Sequence, residues 1–253
     1  MAKKAKPRKA AKAKSRRSKV NPFEGRSHDR GKVTPETLIG SIAQRRVADH
    51  PWLKALAAGQ VAQNDAARVA KQLVYLFDNL IEIYGPMYLN NADYKVRRIF
   101  VDKMLKSITL NDGSKLRVGE GAQGELAADL ARALGANVGK TQEIAPTPLL
   151  KEKVDAFIGS LERPPYWVTL GASAAVESHM KAVYKTMAEA FKRHYGVADA
   201  NLRAFAAPPL FEKADIVHCL KRCETPFDRL RIAYYTERLR NEWYDMWDAA
   251  FTA

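Results

Sequence analysis

Cysteine is scarce in this chain of 253 residues: Cys219 and Cys223 are the whole complement. They lie four positions apart in one apolar segment, a spacing that on a helix matches disulfide geometry poorly. Both read as core thiols, and a reduced, cytoplasmic protein is the expectation. No apolar run approaches the ~20 residues needed to cross a bilayer, so a transmembrane protein is not expected. The N-terminus lacks the apolar core of a secretory signal. Strand-like alternation is missing, as are a Gly-rich phosphate loop behind a strand and any repeat period. Nor is there a Ser–His–Asp or Cys–His arrangement that spacing supports.

Acidic and aromatic residues are both missing from residues 1–20, MAKKAKPRKAAKAKSRRSKV, which hold ten Lys and Arg. Removing those ten from the net charge of +14 leaves +4 for the remaining 233 residues, so the charge is concentrated in a tail. Such a segment cannot bury enough apolar surface to fold alone. It suits a polyanion, nucleic acid or an anionic membrane surface, through sequence-independent neutralisation. A purely solubilising extension fits the same composition, and no aromatic residue is interleaved for base stacking.

What is present is a large apolar fraction, 47%, enough for a sizeable core. After residues 1–32 (tail and linker, with Pro22, Gly25, Gly31 and His28) the pattern is helical almost throughout, giving a second region, 33–253. Thr34 before Pro35 and Glu36 marks a helix entry. The stretch from Asn64 to Tyr84 carries Ala66, Val69, Ala70, Leu73, Phe77, Leu80, Ile81 and Tyr84 at three- and four-residue steps. Gly85 and Pro86 are expected to kink or interrupt it. Further helices are expected over 93–110, with an NDG turn at 111–113, over 124–137 closing at Gly135, and around 150–161. One long helix should run from Val168 to His194. Another should open on FEKADIVH, and a last one should cover Pro226 to Phe251. The fold class is all-α, a helical bundle.

Chemistry in a bundle comes from carboxylates and histidines that different helices project inward. Asp215 and His218 have the three-residue spacing, and Phe211 would share their stripe. Glu177 lies at the margin of an apolar row, where a carboxylate needs a partner such as Lys181 or a metal. Against a metal stands the ordinary reading of each as part of an ion-paired or exposed helix face. His50, before Pro51 and Trp52, reads as a capping or packing residue. His179 and His194 fall on other faces, and His194 suits a helix C-terminus.

The order of HPWLKALAAG, GPMYLNNA, GELAADLARALG, AAVESHMKAVYKTMAEAFKRHYGV and FEKADIVHC resembles the haem-oxygenase-like fold over about residues 40–250. That group includes TenA-type thiaminases, pyrroloquinoline-quinone synthase C and iron-containing redox enzymes. The closest pattern is that of the chlamydial death-domain-associating, para-aminobenzoate-forming oxidases. The resemblance implies a dimetal site, with Glu177, Asp215 and His218 as its metal ligands here. At the other three positions the sequence departs: Phe211 and Gln123 stand where histidines belong, and about Leu116 where a glutamate belongs. Glu120 or Glu125 would compensate only with a shifted helix register.

Three readings follow. One is an iron-dependent oxidoreductase with a reduced site, holding Fe(II) through Glu177, Asp215 and His218 and acting on a small organic molecule. Another is a metal-free enzyme using Glu177, His218 and nearby tyrosines as acid–base groups. The third is a binding protein that kept the fold without the chemistry. A small-molecule substrate and a homodimer are the expected partners of the helical part, with nucleic acid or another polyanion for the tail.

Overall fold

A computed structural model describes residues 33–89, 91, 93–108, 123–140, 144–206 and 210–253. The leader 1–32, the NDG turn, Leu116 and Glu120 lie outside the described residues. Among those described, all regular structure is helical. They pack as one unit. The helices are α1 (Pro35–Ser41), α2 (Pro51–Ala57), α3 (Gln63–Asp78), α4 (Leu80–Leu89), α5 (Tyr94–Ile108), α6 (Gln123–Ala133), α7 (Pro148–Leu161), α8 (Tyr166–Glu177), α9 (Met180–Tyr195), α10 (Lys213–Arg222) and α11 (Pro226–Thr252).

Local chemistry sets most of the ends. The Thr34 hydroxyl accepts the Thr37 N–H at 3.2 Å, and Thr37 returns the bond to the Thr34 N–H, closing the first turn of α1. Thr147 caps α7 ahead of Pro148, and Thr225 caps α11 ahead of Pro226. At the other end of α9, Gly196 takes φ +66°, a left-handed turn that costs a glycine nothing.

Two expected helices are divided differently. The stretch from Asn64 breaks at Asn79, not at Gly85 and Pro86, which lie inside α4. Asn79 donates both its backbone N–H, at 3.1 Å, and its side-chain amide, at 2.8 Å, to Tyr75 O, so the side chain competes with the backbone at the end of the helix. The helix expected from Val168 to His194 is two helices, α8 and α9, parted at Ser178 and His179. The Ser178 hydroxyl donates to Ala175 O at 2.6 Å and competes with the backbone at that turn. A 3-10 segment, Asp199–Ala206, was not anticipated.

Helix α8 is the axle of the bundle: every residue from Val168 to Glu177 is buried. It packs on α10 and α11, while α3 packs on α6. Small residues allow the close approach. A Cβ on Gly171 would lie 3.2 Å from both Cys219 Cβ and Ile232 Cγ2. Cys219 and Cys223 are both free, and the Cys223 thiol donates to Cys219 O at 3.4 Å. Aromatic rings fill the interior. Phe77 meets Tyr184 edge-on at 5.9 Å, and Phe191 stacks on Phe205 at 6.0 Å.

Candidate functional site

Glu177 is the last residue of α8, and its side chain is 4% exposed. Its Oε2 accepts two backbone N–H groups, from Leu210 at 3.0 Å and from Phe211 at 3.2 Å. Burial raises its pKa to about 8; the two N–H donors oppose that shift and Asp215 adds to it. The carboxyl is therefore neutral over most of the range below pH 8. Its field also reaches Tyr184 on α9, whose phenol is held above its ordinary pKa first by burial and then by Glu177.

Asp215 and His218 lie on α10, as the sequence pattern predicts. Phe211 does not share their helical stripe, because α10 begins only at Lys213. It sits in the approach to the helix, 1% exposed, with its ring edge-on to Phe100 at 6.3 Å. Asp215 Oδ2 accepts the Glu212 N–H at 2.8 Å and secures the first turn of α10. His218 is half-buried, and its Nε2 is buried without a hydrogen-bond partner.

Helices α8 and α10 run antiparallel. The C-terminal end of α8 meets residues 210 and 211, and Gly171, nearer its start, meets Cys219. The structure thus brings Glu177 and Asp215 into electrostatic range at one end of this seam. At the first-stretch position, Gln123 is 4% exposed and donates its amide to Ala204 O at 3.1 Å. Glu125 is half-buried on α6. Among the described residues, no group of three or more His, Cys, Asp and Glu side chains is arranged to hold a metal ion.

The other described histidines, His50, His179 and His194, have structural partners. His50 Nδ1 accepts the Trp52 N–H at 3.1 Å, the capping role its position suggests, and Nε2 pairs with Asp248 at 2.9 Å. His179 Nε2 accepts the Val47 N–H at 3.2 Å. His194 hydrogen-bonds Ala57 O at the end of α2, 3.1 Å away. Lys181 is exposed, whereas Glu177 points inward.

No protein-family model and no curated protein matches the chain. A solved structure does: a domain of unknown function with a haem-oxygenase-like fold from Shewanella denitrificans OS217, at TM-score 0.60 and 12% identity. The match covers 86% of this chain and 89% of that one. This chain has a haem-oxygenase-like fold. At that identity the likeness reaches the fold and not the activity. Within the haem-oxygenase-like bundle, the residue the sequence reading missed is Ser173, one turn before Glu177 on α8. It is 1% exposed, and its hydroxyl has no hydrogen-bond partner. The one signal is a lone hydroxyl in the apolar run GASAAV.

The dimetal centre implied by the fold resemblance does not suit the donors present. Phe211 cannot coordinate and is committed to the core. The Gln123 amide nitrogen is spent on a backbone carbonyl, and a neutral amide is in any case a poor iron ligand.

Proposed function

We propose that this protein is a haem-oxygenase-like binding protein that takes up a small organic molecule and does not use a dinuclear iron centre. The observation that carries this reading is where the metal-ligand positions have gone. Glu177 latches the 210–211 backbone, Asp215 secures the start of α10, Gln123 holds Ala204 O, and Phe211 fills the core. Groups bonded in this way stabilise the fold, and redeploying Glu177 on a metal would take an acceptor from the Leu210 and Phe211 N–H groups, at about 1–3 kcal/mol for a buried donor left unpaired.

In this reading the chain's own residues bind and orient. Glu177 keeps a proton in the buried interior, within electrostatic reach of Tyr184. A neutral carboxyl there does not oblige a ligand to carry a compensating charge. The Ser173 hydroxyl on α8 and His218 Nε2 on α10 are among the buried polar atoms with hydrogen bonds still to give or accept.

A second reading has one observation in its favour. The unpartnered Nε2 of His218 suits a single Fe(II) shared with Glu177 and Asp215, a two-carboxylate, one-histidine set. Anaerobic Fe(II) loading of the full chain, followed by elemental analysis and thermal melting, separates the two. The binding-protein reading expects iron well below one per chain and an unchanged melting temperature. One iron per chain with a raised melting temperature supports the second reading and overturns the first.

A further inference from the structure

Among the described residues, the three most exposed large apolar side chains gather at one end of the bundle. Leu89, at the end of α4, is 69% exposed, and Tyr94, which opens α5, is 75% exposed. Phe227, in the first turn of α11, is 58% exposed. Two relationships bring these helix corners together. The Tyr166 phenol at the start of α8 lies within electrostatic reach of Asp93, beside Tyr94, and of Arg222 at the end of α10. Its neighbour Trp167 lies under the guanidinium of Arg231, 5.4 Å from the ring centroid, and Arg231 is one turn beyond Phe227 on α11. Tyr166 and Trp167 are themselves half-buried. The next most exposed large apolar side chain, Leu149 at 46%, belongs to the opposite end. Helix α7 runs antiparallel to α11, with Ser160 at Arg238 and Phe157 at Trp243, so its start lies toward the end of α11. A single exposed apolar side chain is ordinary, but three gathered beside two half-exposed rings mark a contact surface.

Cations are interspersed with these side chains. Lys95, Lys221, Arg222 and Arg229 are exposed, and Arg231 is half-buried over its indole. Of the acids among them, Asp93 accepts the Lys95 N–H at 2.8 Å and Asp228 accepts the N–H and hydroxyl of Thr225. Both carboxylates are thus committed to helix starts, while Glu224 is exposed. We propose that this end of the bundle docks on the surface of a bilayer containing anionic lipid. Leu89, Tyr94 and Phe227 enter the interfacial layer, and the cations meet the headgroup phosphates. The proposal is independent of the small-molecule reading and concerns a different part of the helical domain. Leu and Phe beside Tyr and Trp, with Lys and Arg among them, is the composition that seats a peripheral protein at headgroup level. A single-stranded nucleic acid fits less well, because Leu89 offers no ring on which a base could stack. Among the described residues no helix is long and apolar enough to cross a membrane, so this docking is peripheral.

Sedimentation of the full chain with vesicles tests this, comparing phosphatidylcholine alone with phosphatidylcholine mixed with phosphatidylglycerol. Binding should need the phosphatidylglycerol. The basic residues 1–20 attract such vesicles by charge in every variant, so the face is read from differences between chains that all carry them. Tyr94→Ser combined with Phe227→Ser should lower partitioning about tenfold or more. Leu149→Ser, at the opposite end, should leave it unchanged. Lipids with brominated acyl chains should quench the tryptophan emission of the bound wild-type protein, and Trp167→Phe should remove most of that quenching. The proposal is overturned if the double variant partitions as wild type does, if Leu149→Ser loses as much, or if emission from the bound protein is unquenched. The quenching measurement on wild type stands even if the double variant does not fold. A loss by the double variant of retention on single-stranded DNA, with vesicle binding unchanged, would assign the face to nucleic acid and overturn the bilayer.

Discussion

Glu177 and Phe211 are joined by a hydrogen bond from the Phe211 backbone N–H to Glu177 Oε2 at 3.2 Å. A carboxyl that a metal site would want is thereby tied to the residue standing where a histidine ligand would be. The bond holds the approach to α10 against the end of α8. It asks only for an acceptor, and a carboxylic acid is a costly way to supply one in a buried position.

That cost is measurable against pH. Below pH 4.5 Glu177 is protonated in both folded and unfolded chains. As pH rises from there to about 8, the unfolded chain releases the proton and the native one keeps it, so stability falls across this window. Glu177→Gln keeps an acceptor for Leu210 and Phe211 and removes the titration. Denaturant unfolding should find the variant close to wild type at pH 5. At pH 9 it should be more stable, by on the order of 4 kcal/mol at most. Equal stabilities at both pH values would contradict the buried, protonated carboxyl.

His179 works in the opposite sense. Burial, then the charge of Arg46, holds its pKa down to about 4, below the usual 6.5. As pH falls from 6.5 towards 4 the unfolded chain takes a proton that the native imidazole refuses, and stability is lost in that window. His179→Gln should flatten this acid limb by on the order of 2 kcal/mol, seen in melts between pH 4 and pH 7.

Phe211→Ala should destabilise the chain by about 3–5 kcal/mol, because a fully buried ring is removed from beside Phe100. Phe211→His restores a ligand type without a ligand geometry. It should still lose stability, and it should gain no iron after Fe(II) loading. Iron uptake on that single change would show that the other donors are already placed to coordinate.

Gly124→Ala probes a close approach between α3 and α6. The added Cβ would lie 2.8 Å from Asp78 Oδ1 and 3.1 Å from Asp78 Cα, and the backbone atom cannot turn away. Helix propensity alone would favour alanine by about 1 kcal/mol. The contact should outweigh it, for a net loss of about 1–2 kcal/mol in denaturant unfolding.

Deletion of residues 1–20 should abolish salt-sensitive retention on heparin or duplex DNA and leave the melting temperature unchanged. Up to ten cations are removed, and log affinity for DNA should fall with log salt at a slope near −0.9 per phosphate contacted. Undiminished DNA binding by the truncated chain would place the polyanion site in the helical part.

Periodicity alone made most of the bundle legible. In α11 the stripe Ile232, Tyr235, Leu239, Trp243, Met246, Ala250 is buried except at the half-buried Tyr235, and Ala66, Val69, Ala70, Leu73, Phe77 of α3 are buried throughout. Caps with a local partner, such as Thr34 and His50, are readable because their chemistry lies within three residues. The breaks at Asn79 and Ser178 were not, since each depends on which carbonyl a side chain happens to reach. Site residues divided along the same line. Glu177 could be singled out as a carboxylate on an apolar margin, but its partners at 210 and 211 are 33 and 34 residues away. Asp215 was read for coordination, although its pairing with the Glu212 N–H is a local capping pattern already present in the sequence. Ser173 gave almost no signal, because a single serine in an apolar helix is ordinary until its neighbours are known.

Helix α8 is buried along ten consecutive residues, so it presents no face to the surroundings. Its amide protons should therefore exchange with solvent only when neighbouring helices part, at rates close to those of global opening. The same would hold for any small molecule taken up beside this helix. A visitor cannot collide with this helix from bulk water and must wait for α10 or its approach to lift. Its arrival and departure would then be timed by the protein's breathing rather than by diffusion.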